Sequence, residues 1–434
     1  MRLGPRKPYL GGMDWVLFCL DDMTRRDTAV GMAMQLVLEL EGVLEEDALV
    51  RGFDTLAAPY PEIWARVRRA WHMAPYWKPR RVPARALTPQ VHRARDDREV
   101  RAILERTINT PFASGDQHIA AHVIHSDGKS TLAVIFDHRL FDARGAESFL
   151  GRIEESCQGT VALEPADRSR PENLDRWAEK FEAGRQVNAA LSKLVDGLKP
   201  RTLPALGPRR RRSFGFREIC FDEHETEALL ARIEDRAGLF MAMPYSLAIV
   251  VQVLHDVFES RGAPGEDYVV PVMTDTRGPR GQGREMLFNH FSFLLFRESA
   301  ATVRDLPRLV ESLKEQMYEQ VKTRLTHNLA EASLLGRIVP TPVLSRIARA
   351  TLNRGLASFC FSFLGETNQI PATFLGVGVR RSYHMPTVPF PPGLGVFFRQ
   401  SRSCLSAQVT YADGVLTEAE ADRVVAEIET RLRS

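Results

Sequence analysis

Two apolar runs, His118–His125 and Leu132–Phe136, are joined by Ser126-Asp127-Gly128-Lys129. Asp-Gly accepts the positive φ angles of the tight turn that matches the twist of paired strands, so this segment is committed to a β-hairpin. Its second strand runs straight into Asp137-His138-Arg139-Leu140-Phe141-Asp142, and a helix is expected over Gly145–Cys157. The point where a buried strand emerges and hands over to a helix is a usual address for site residues.

The remaining chain is read around that hairpin. Between Met32 and Leu40 the even positions are apolar, while Gln35 and Glu39 fall on the other face, which predicts a strand with one wet side. Leu49, Phe53 and Leu56 recur at helical spacing, and Pro59 and Pro61 end that helix. Residues 76–98, rich in Arg and Pro, read as irregular, and Val100–Ile108 as a short helix. Later segments predict strands at Phe214–Phe221, Tyr268–Met273, Asn289–Phe296, Ser358–Leu364 and Ser403–Tyr411. Helices are expected around Leu229–Ile233, over Pro244–Phe258, from Leu306 to Val321, and from a capping box at Thr417/Glu420 to the C-terminus.

A chain of 434 residues exceeds what one core holds, since cores stop growing near about 250–300 residues. Two α/β lobes with mixed sheets are expected: 1–165, and 214–434 after a crossover at 166–213 that includes a polar helix near 173–197. A net charge of +3 is too small for a protein whose main work is neutralising nucleic-acid phosphates. Cys19, Cys157, Cys220, Cys360 and Cys404 are scattered without a CxxC pair, so neither a zinc site nor a disulfide framework is signalled. The N-terminal MRLGPRKPYLGGMDW lacks a secretory pattern, and the apolar stretch Ser246–Phe258 is too short to span a bilayer. A cytoplasmic location with peripheral membrane contact at most is the expectation.

The segment TLAVIFDHRLFDARGAESFL (131–150) carries His138 and Asp142 in an HxxxD spacing. The spacing alone says little, because about half a match is expected by chance in such a chain. His92 and Asp96 form a second match, but no strand precedes His92, and it reads as solvated.

With its strand and helix, 131–150 resembles the active-site motif, written HHxxxDG, of the chloramphenicol-acetyltransferase-like superfamily. That superfamily holds nonribosomal condensation domains, bacterial wax ester synthases, polyketide-associated acyltransferases and plant BAHD acyltransferases. LVLELEGVLEEDALVRGFDTLAAPYPEIWARV is similar to its opening strand and helix. MPYSLAIVVQVLHDVFESRGAPGEDYVVPVMTDTRG is similar to the helix and strand leading to its D-x-R, here Asp275 and Arg277. FNHFSFLLFR (288–297) and FSFLGE (361–366) also look like family segments.

The resemblance implies two such lobes with an active-site channel between them. It implies an HxxxD acyltransferase that moves an acyl group from a coenzyme A or carrier-protein thioester to a hydroxyl or amine. The pantetheine thioester is substrate, and no cofactor or metal is implied. His138 would be the general base, since a neutral imidazole within hydrogen-bond reach can take the acceptor's proton. Asp142 would be structural, paired with Arg277, whose fork suits a carboxylate. Asp137, Gly145 and Asn289 are further candidates for lining the site. Asp137 stands where the family pattern has its first His and Ala143 where it has Gly, and Gly145 is the nearest glycine to compensate. These departures keep a second reading open: a non-catalytic condensation-like protein that binds a carrier domain or lipid.

Plainer readings stand beside these. His138 alone reads as a satisfied core histidine. On a strand, His118 and His122 would share a face with His125 opposed, and no acidic ligand is suitably spaced for a metal. Arg209–Arg212 reads as a solvated linker or, more sharply, as a docking patch for an acidic carrier or coenzyme A phosphates.

Overall fold

The computed structural model describes residues 7–57, 59–80, 87–159, 176–207, 211–277, 285–352, 357–367 and 369–434. The strands are β1 (Ala33–Leu40), β2 (Ala65–Arg69), β3 (Pro75–Pro79), β4 (Gln90–Arg93), β5 (Ile119–Ser126), β6 (Lys129–Asp137), β7 (Phe214–Cys220), β8 (Asp267–Asp275), β9 (Phe291–Ser299), β10 (Cys360–Thr367), β11 (Thr373–Phe374), β12 (Val377–Pro386), β13 (Leu394–Ser401) and β14 (Cys404–Ala412). The helices are α1 (Gly12–Asp27), α2 (Glu46–Ala57), α3 (Asp97–Ile108), α4 (Ala143–Cys157), α5 (Trp177–Val195), α6 (Glu223–Ala237), α7 (Ala242–Ser260), α8 (Ala300–Val303), α9 (Leu306–Lys322), α10 (Leu325–Gly336), α11 (Thr341–Leu352) and α12 (Glu418–Arg433).

Two mixed six-stranded sheets organise the molecule, in the orders β11-β12-β1-β6-β5-β4 and β7-β14-β13-β10-β8-β9. In the first only β4–β5 is parallel among the long pairs; in the second β10 is parallel to both neighbours. The sheets are not each built from one half of the chain, because 373–386 leave the second half to pair with β1.

The β5–β6 hairpin forms as its Asp-Gly turn requires, with φ of 48° at Asp127 and 71° at Gly128. β1 departs from the one-wet-face expectation. It is central, and Gln35 is fully buried because α3 covers that face. Leu104 carbonyl accepts from Gln35 Nε2 at 3.2 Å, and Thr107 Oγ1 donates to Gln35 Oε1 at 2.9 Å. The polar side chain is thus satisfied inside the core, as burial demands.

Other segments depart from expectation too. Residues 76–98 hold part of β3, all of β4 and the start of α3; 81–86 lie outside the described residues. α1, α10, α11, β12 and β13 were not expected. Part of the basic run, 209–210, lies outside the described residues, and Arg212 turns inward: it is buried and its Nη1 donates to Leu206 carbonyl at 3.3 Å. Among the described residues no single helix is long and apolar enough to cross a membrane.

Two features stitch the lobes together beside the motif. Phe141 and Phe288 form a parallel bridge, with Phe288 N–H donating to Leu140 carbonyl at 2.7 Å. Met13 and Leu17 of α1 pack with Met32 and Phe291 in a small apolar cluster that spans both sheets.

Candidate functional site

Between the lobes lies a cavity of about 560 Å³ whose walls come from both sheets and from α1, α4 and α11. Its lining is largely apolar, with Leu17, Met32, Met273, Phe293, Phe363 and Phe397 among the residues that form it. Such enclosure strips water from anything bound inside.

His138 sits at the end of β6 and lines the cavity, half-buried. Its backbone N–H donates to Met32 carbonyl at 3.2 Å, which fixes the turn. Its Nδ1 lies 3.2 Å from Asn289 Oδ1. On the other side of Asn289, Asp14 Oδ1 accepts from the Asn289 backbone N–H at 2.8 Å and from its Nδ2 at 3.3 Å. A carboxylate only accepts, so Asp14 turns the amide NH₂ toward itself and the amide oxygen toward His138. Nδ1 then carries the proton, and Nε2 is a bare acceptor with no partner among the described residues.

Two other histidines line the cavity, and both have their ring nitrogens engaged. His290 faces Leu287 carbonyl at 3.2 Å and Glu285 Oε2 at 3.2 Å. His384 faces Glu147 Oε1 at 2.8 Å and Met34 Sδ at 3.0 Å. Of the three imidazoles that line the cavity, His138 is the one with an unengaged ring nitrogen among the described residues.

Asp142 and Arg277 meet, as the family resemblance implies: Arg277 Nη2 donates to Asp142 Oδ1 at 2.8 Å. Asp142 also caps α4, accepting from Gly145 N–H at 2.8 Å, and accepts from His290 N–H at 2.9 Å. Burial works against ionising this carboxyl, but the Arg277 charge and these bonds outweigh it and hold it below the usual range. Arg277 in turn touches Asp275 Oδ1 at 3.3 Å, and Arg144 lies 3.0 Å from Asp275 Oδ2.

The remaining candidates fall behind the wall. Asp137 is fully buried and does not line the cavity. Arg139 grips it through Nε at 2.9 Å and Nη2 at 2.6 Å, and His118 Nδ1 lies 2.8 Å away. Burial would raise its pKa, but Arg139 and His118 hold the carboxyl far below the ordinary range. Gly145 is not at the wall either. A Cβ there would sit 2.2 Å from Met286 carbonyl oxygen, so the glycine permits the second lobe's backbone to close on the start of α4. Asn289 acts on the cavity only through His138.

The other histidines go separate ways. His118 lies before β5, out of its alternation, with Nε2 2.9 Å from Ala65 carbonyl. His122 stacks on His92, their nitrogens 3.1 Å apart, so His92 belongs to β4 and is not simply solvated. His125 reaches Ser130 Oγ at 3.0 Å. Among the described residues no group of three or more His, Cys, Asp or Glu is placed to hold a metal ion. Asp14 was missed by sequence reasoning. The only local hint is its place as the acidic residue of the first turn of α1, where Gly11 N–H donates to its Oδ2 at 2.7 Å.

Two mixed sheets flanking a cavity, with an exchanged strand from the second half completing the first sheet, decide the architecture. The chain has the chloramphenicol-acetyltransferase-like fold of condensation domains. Trichothecene 15-O-acetyltransferase from Fusarium sporotrichioides superposes with a TM-score of 0.73 at 14% identity, covering 98% of this chain and 94% of that one. The EpoB NRPS cyclization-docking bidomain from Sorangium cellulosum gives 0.69 at 16% identity, covering 98% and 84%. The first condensation domain of the CDA synthetase gives 0.68 at 15% identity, covering 98% and 94%. At these identities the likeness to condensation domains is one of fold. No family model matches the sequence, and no curated protein matches it.

Proposed function

We propose that this chain is an acyltransferase that moves an acyl group from a coenzyme A or carrier-protein thioester to a hydroxyl acceptor, with His138 as general base. The observation that carries the reading is the open Nε2 of His138, in an imidazole whose other nitrogen is anchored through Asn289 to Asp14. The fold shared with an acetyltransferase and with condensation domains supports it.

In the proposed reaction the acceptor O–H lies against Nε2, which takes its proton as the oxygen attacks the thioester carbonyl. The tetrahedral adduct then expels the thiolate, which takes the proton back from the imidazolium and leaves as free thiol. No covalent enzyme intermediate is required. A positioned base of this kind contributes about 10²–10⁴ in rate. The apolar walls exclude water that would otherwise hydrolyse the thioester. Asp142 and Arg277 hold the loop that carries His138 and do not touch the reacting atoms.

A hydroxyl is favoured over an amine on physical grounds. The cavity-lining carboxylates and guanidiniums pair with one another or with a partner behind the wall, so an ammonium ion entering it would lose hydration without gaining a counter-charge. The test incubates the protein with acyl-CoA or an acyl-carrier thioester and a panel of alcohols and amines, with products read by mass spectrometry. Ester formation that depends on His138 supports the proposal. Wild type and His138→Ala equally inert across both donor classes would favour the non-catalytic binding reading instead.

A further inference from the structure

The cavity has a polar wall that proton transfer at His138 does not use. Ser406 and Gln408 alternate along β14, paired in register with Arg399 and Phe397 of β13, and all four line the cavity. Thr410 Oγ1 donates to Pro386 carbonyl at 3.0 Å and seats β14 beneath β12, which brings Tyr383 and His384 to the same wall. This wall lies close to the imidazole. Met32 binds the His138 backbone and Met34 touches His384, and two residues along a strand span about 7 Å.

The hydrogen-bonding capacity on this wall is unequally spent. Arg399 is fully committed: Nε donates to Glu147 Oε1 at 2.7 Å, Nη1 to Ser382 carbonyl at 2.8 Å and Nη2 to Ser382 Oγ at 3.2 Å. Gln408 is the opposite case. It is only 7% exposed, lines the cavity, and its amide meets no hydrogen-bond partner among the described residues. The Tyr383 phenol, which lines the same cavity, is likewise without a hydrogen bond, and burial pushes its pKa up. An amide with no protein partner, facing a largely apolar cavity, is a hydrogen-bonding group on offer to whatever binds there. The charges tell the same story from the other side. Asp142, Arg277, Asp275 and Arg144 balance, and so do Arg399 and Glu147. What remains on offer is neutral: an amide that both donates and accepts, and a phenol.

Building on the reading of this cavity as the transfer site, we infer that Gln408 and Tyr383 bind an uncharged oxygen function, a hydroxyl or carbonyl, on the body of the substrate. The substrate class is then a neutral, oxygenated apolar molecule, in contrast to a plain alkyl chain or a carboxylate-bearing one. Gln408 and Tyr383 sort substrates without taking part in bond making.

The test is calorimetric and uses the intact protein without any thioester. Medium-chain α,ω-diols are compared with 1-alkanols and ω-hydroxy carboxylates of the same length. The wild type binds the diol about tenfold more tightly than the alcohol, the effect of one or two well-made hydrogen bonds in a dry site. Gln408→Leu, close in volume, removes that preference; Tyr383→Phe reduces it and serves where the first variant melts early. The inference is overturned if the wild type shows no diol preference, if the preference survives both substitutions, or if the carboxylate binds most tightly. Because binding is read without turnover, a protein inert in transfer still reports on this wall. A protein that transfers acyl groups yet shows no diol preference sinks this inference alone.

Discussion

Asp142→Ala removes a buried carboxylate from three partners at once. The Arg277 side chain is only 2% exposed, so the substitution leaves its guanidinium short of its shortest ionic contact. Breaking one side of a buried pair costs about 3–5 kcal/mol, and Arg277 keeps Asp275 at 3.3 Å and Glu285 carbonyl at 3.1 Å, which favours the low end. Losing the side-chain cap on α4 adds about 1 kcal/mol. A total of about 4 kcal/mol is expected, equivalent to a fall in melting temperature of about 4–5 °C for a chain of 434 residues. Differential scanning calorimetry and urea titration read it. Asp142→Asn, which keeps one acceptor oxygen and so serves Gly145 N–H or His290 N–H but not both, falls between the two. Replacing both partners together, Asp142→Leu with Arg277→Met, costs less than the two single losses summed, because no charge is left buried alone. Melting of Asp142→Ala within a degree or two of wild type would refute the claim that this pair braces the loop of His138.

Three further outcomes follow from the same geometry. Asp14→Asn frees the Asn289 amide to turn, so His138 loses its fixed tautomer; kcat should fall about 10–100-fold with KM little changed, and Asn289→Leu should behave alike. Gly145→Ala places a Cβ 2.2 Å from Met286 carbonyl oxygen, and forcing the lobes apart there should cost about 1–3 kcal/mol in urea unfolding. Stability should also decline as pH falls, in two windows. His122, whose burial lowers it to about 4, is neutral in the fold while the unfolded chain protonates from about 6.5 downward. Glu147, which burial would raise but Arg399 and His384 pull down to about 2, contributes stability that is lost between about 4.5 and that value. Rising stability on acidification through either window, measured by urea titration at stepped pH, would contradict these assignments.

The legible parts of this molecule are those where one physical cause dominates. The β5–β6 hairpin was readable because Asp127-Gly128 forces the turn and alternation fixes the strands. The family resemblance singled out Asp142 and Arg277, which the structure brings into contact, and His138, which it places on the cavity wall. Other elements answer to two causes at once. Gln35 looked like a wet face, yet α3 supplies partners that permit its burial. β12 shows no clean alternation, and Tyr383, His384 and Pro386 at its end face the cavity rather than a core. Asp14 was invisible because its bond to Asn289 joins residues 275 apart in sequence. Asp137 was a candidate for lining the site, but Arg139, two residues on, neutralises it behind the wall.

The account stands most directly on the rate of thiol release from an acyl thioester in the presence of a neutral alcohol, measured for wild type and His138→Ala side by side. A loss of about 10²–10⁴ in the variant, with melting unchanged, is the expected result. Equal rates in a wild type that does release thiol would place the chemistry on some other group and contradict it.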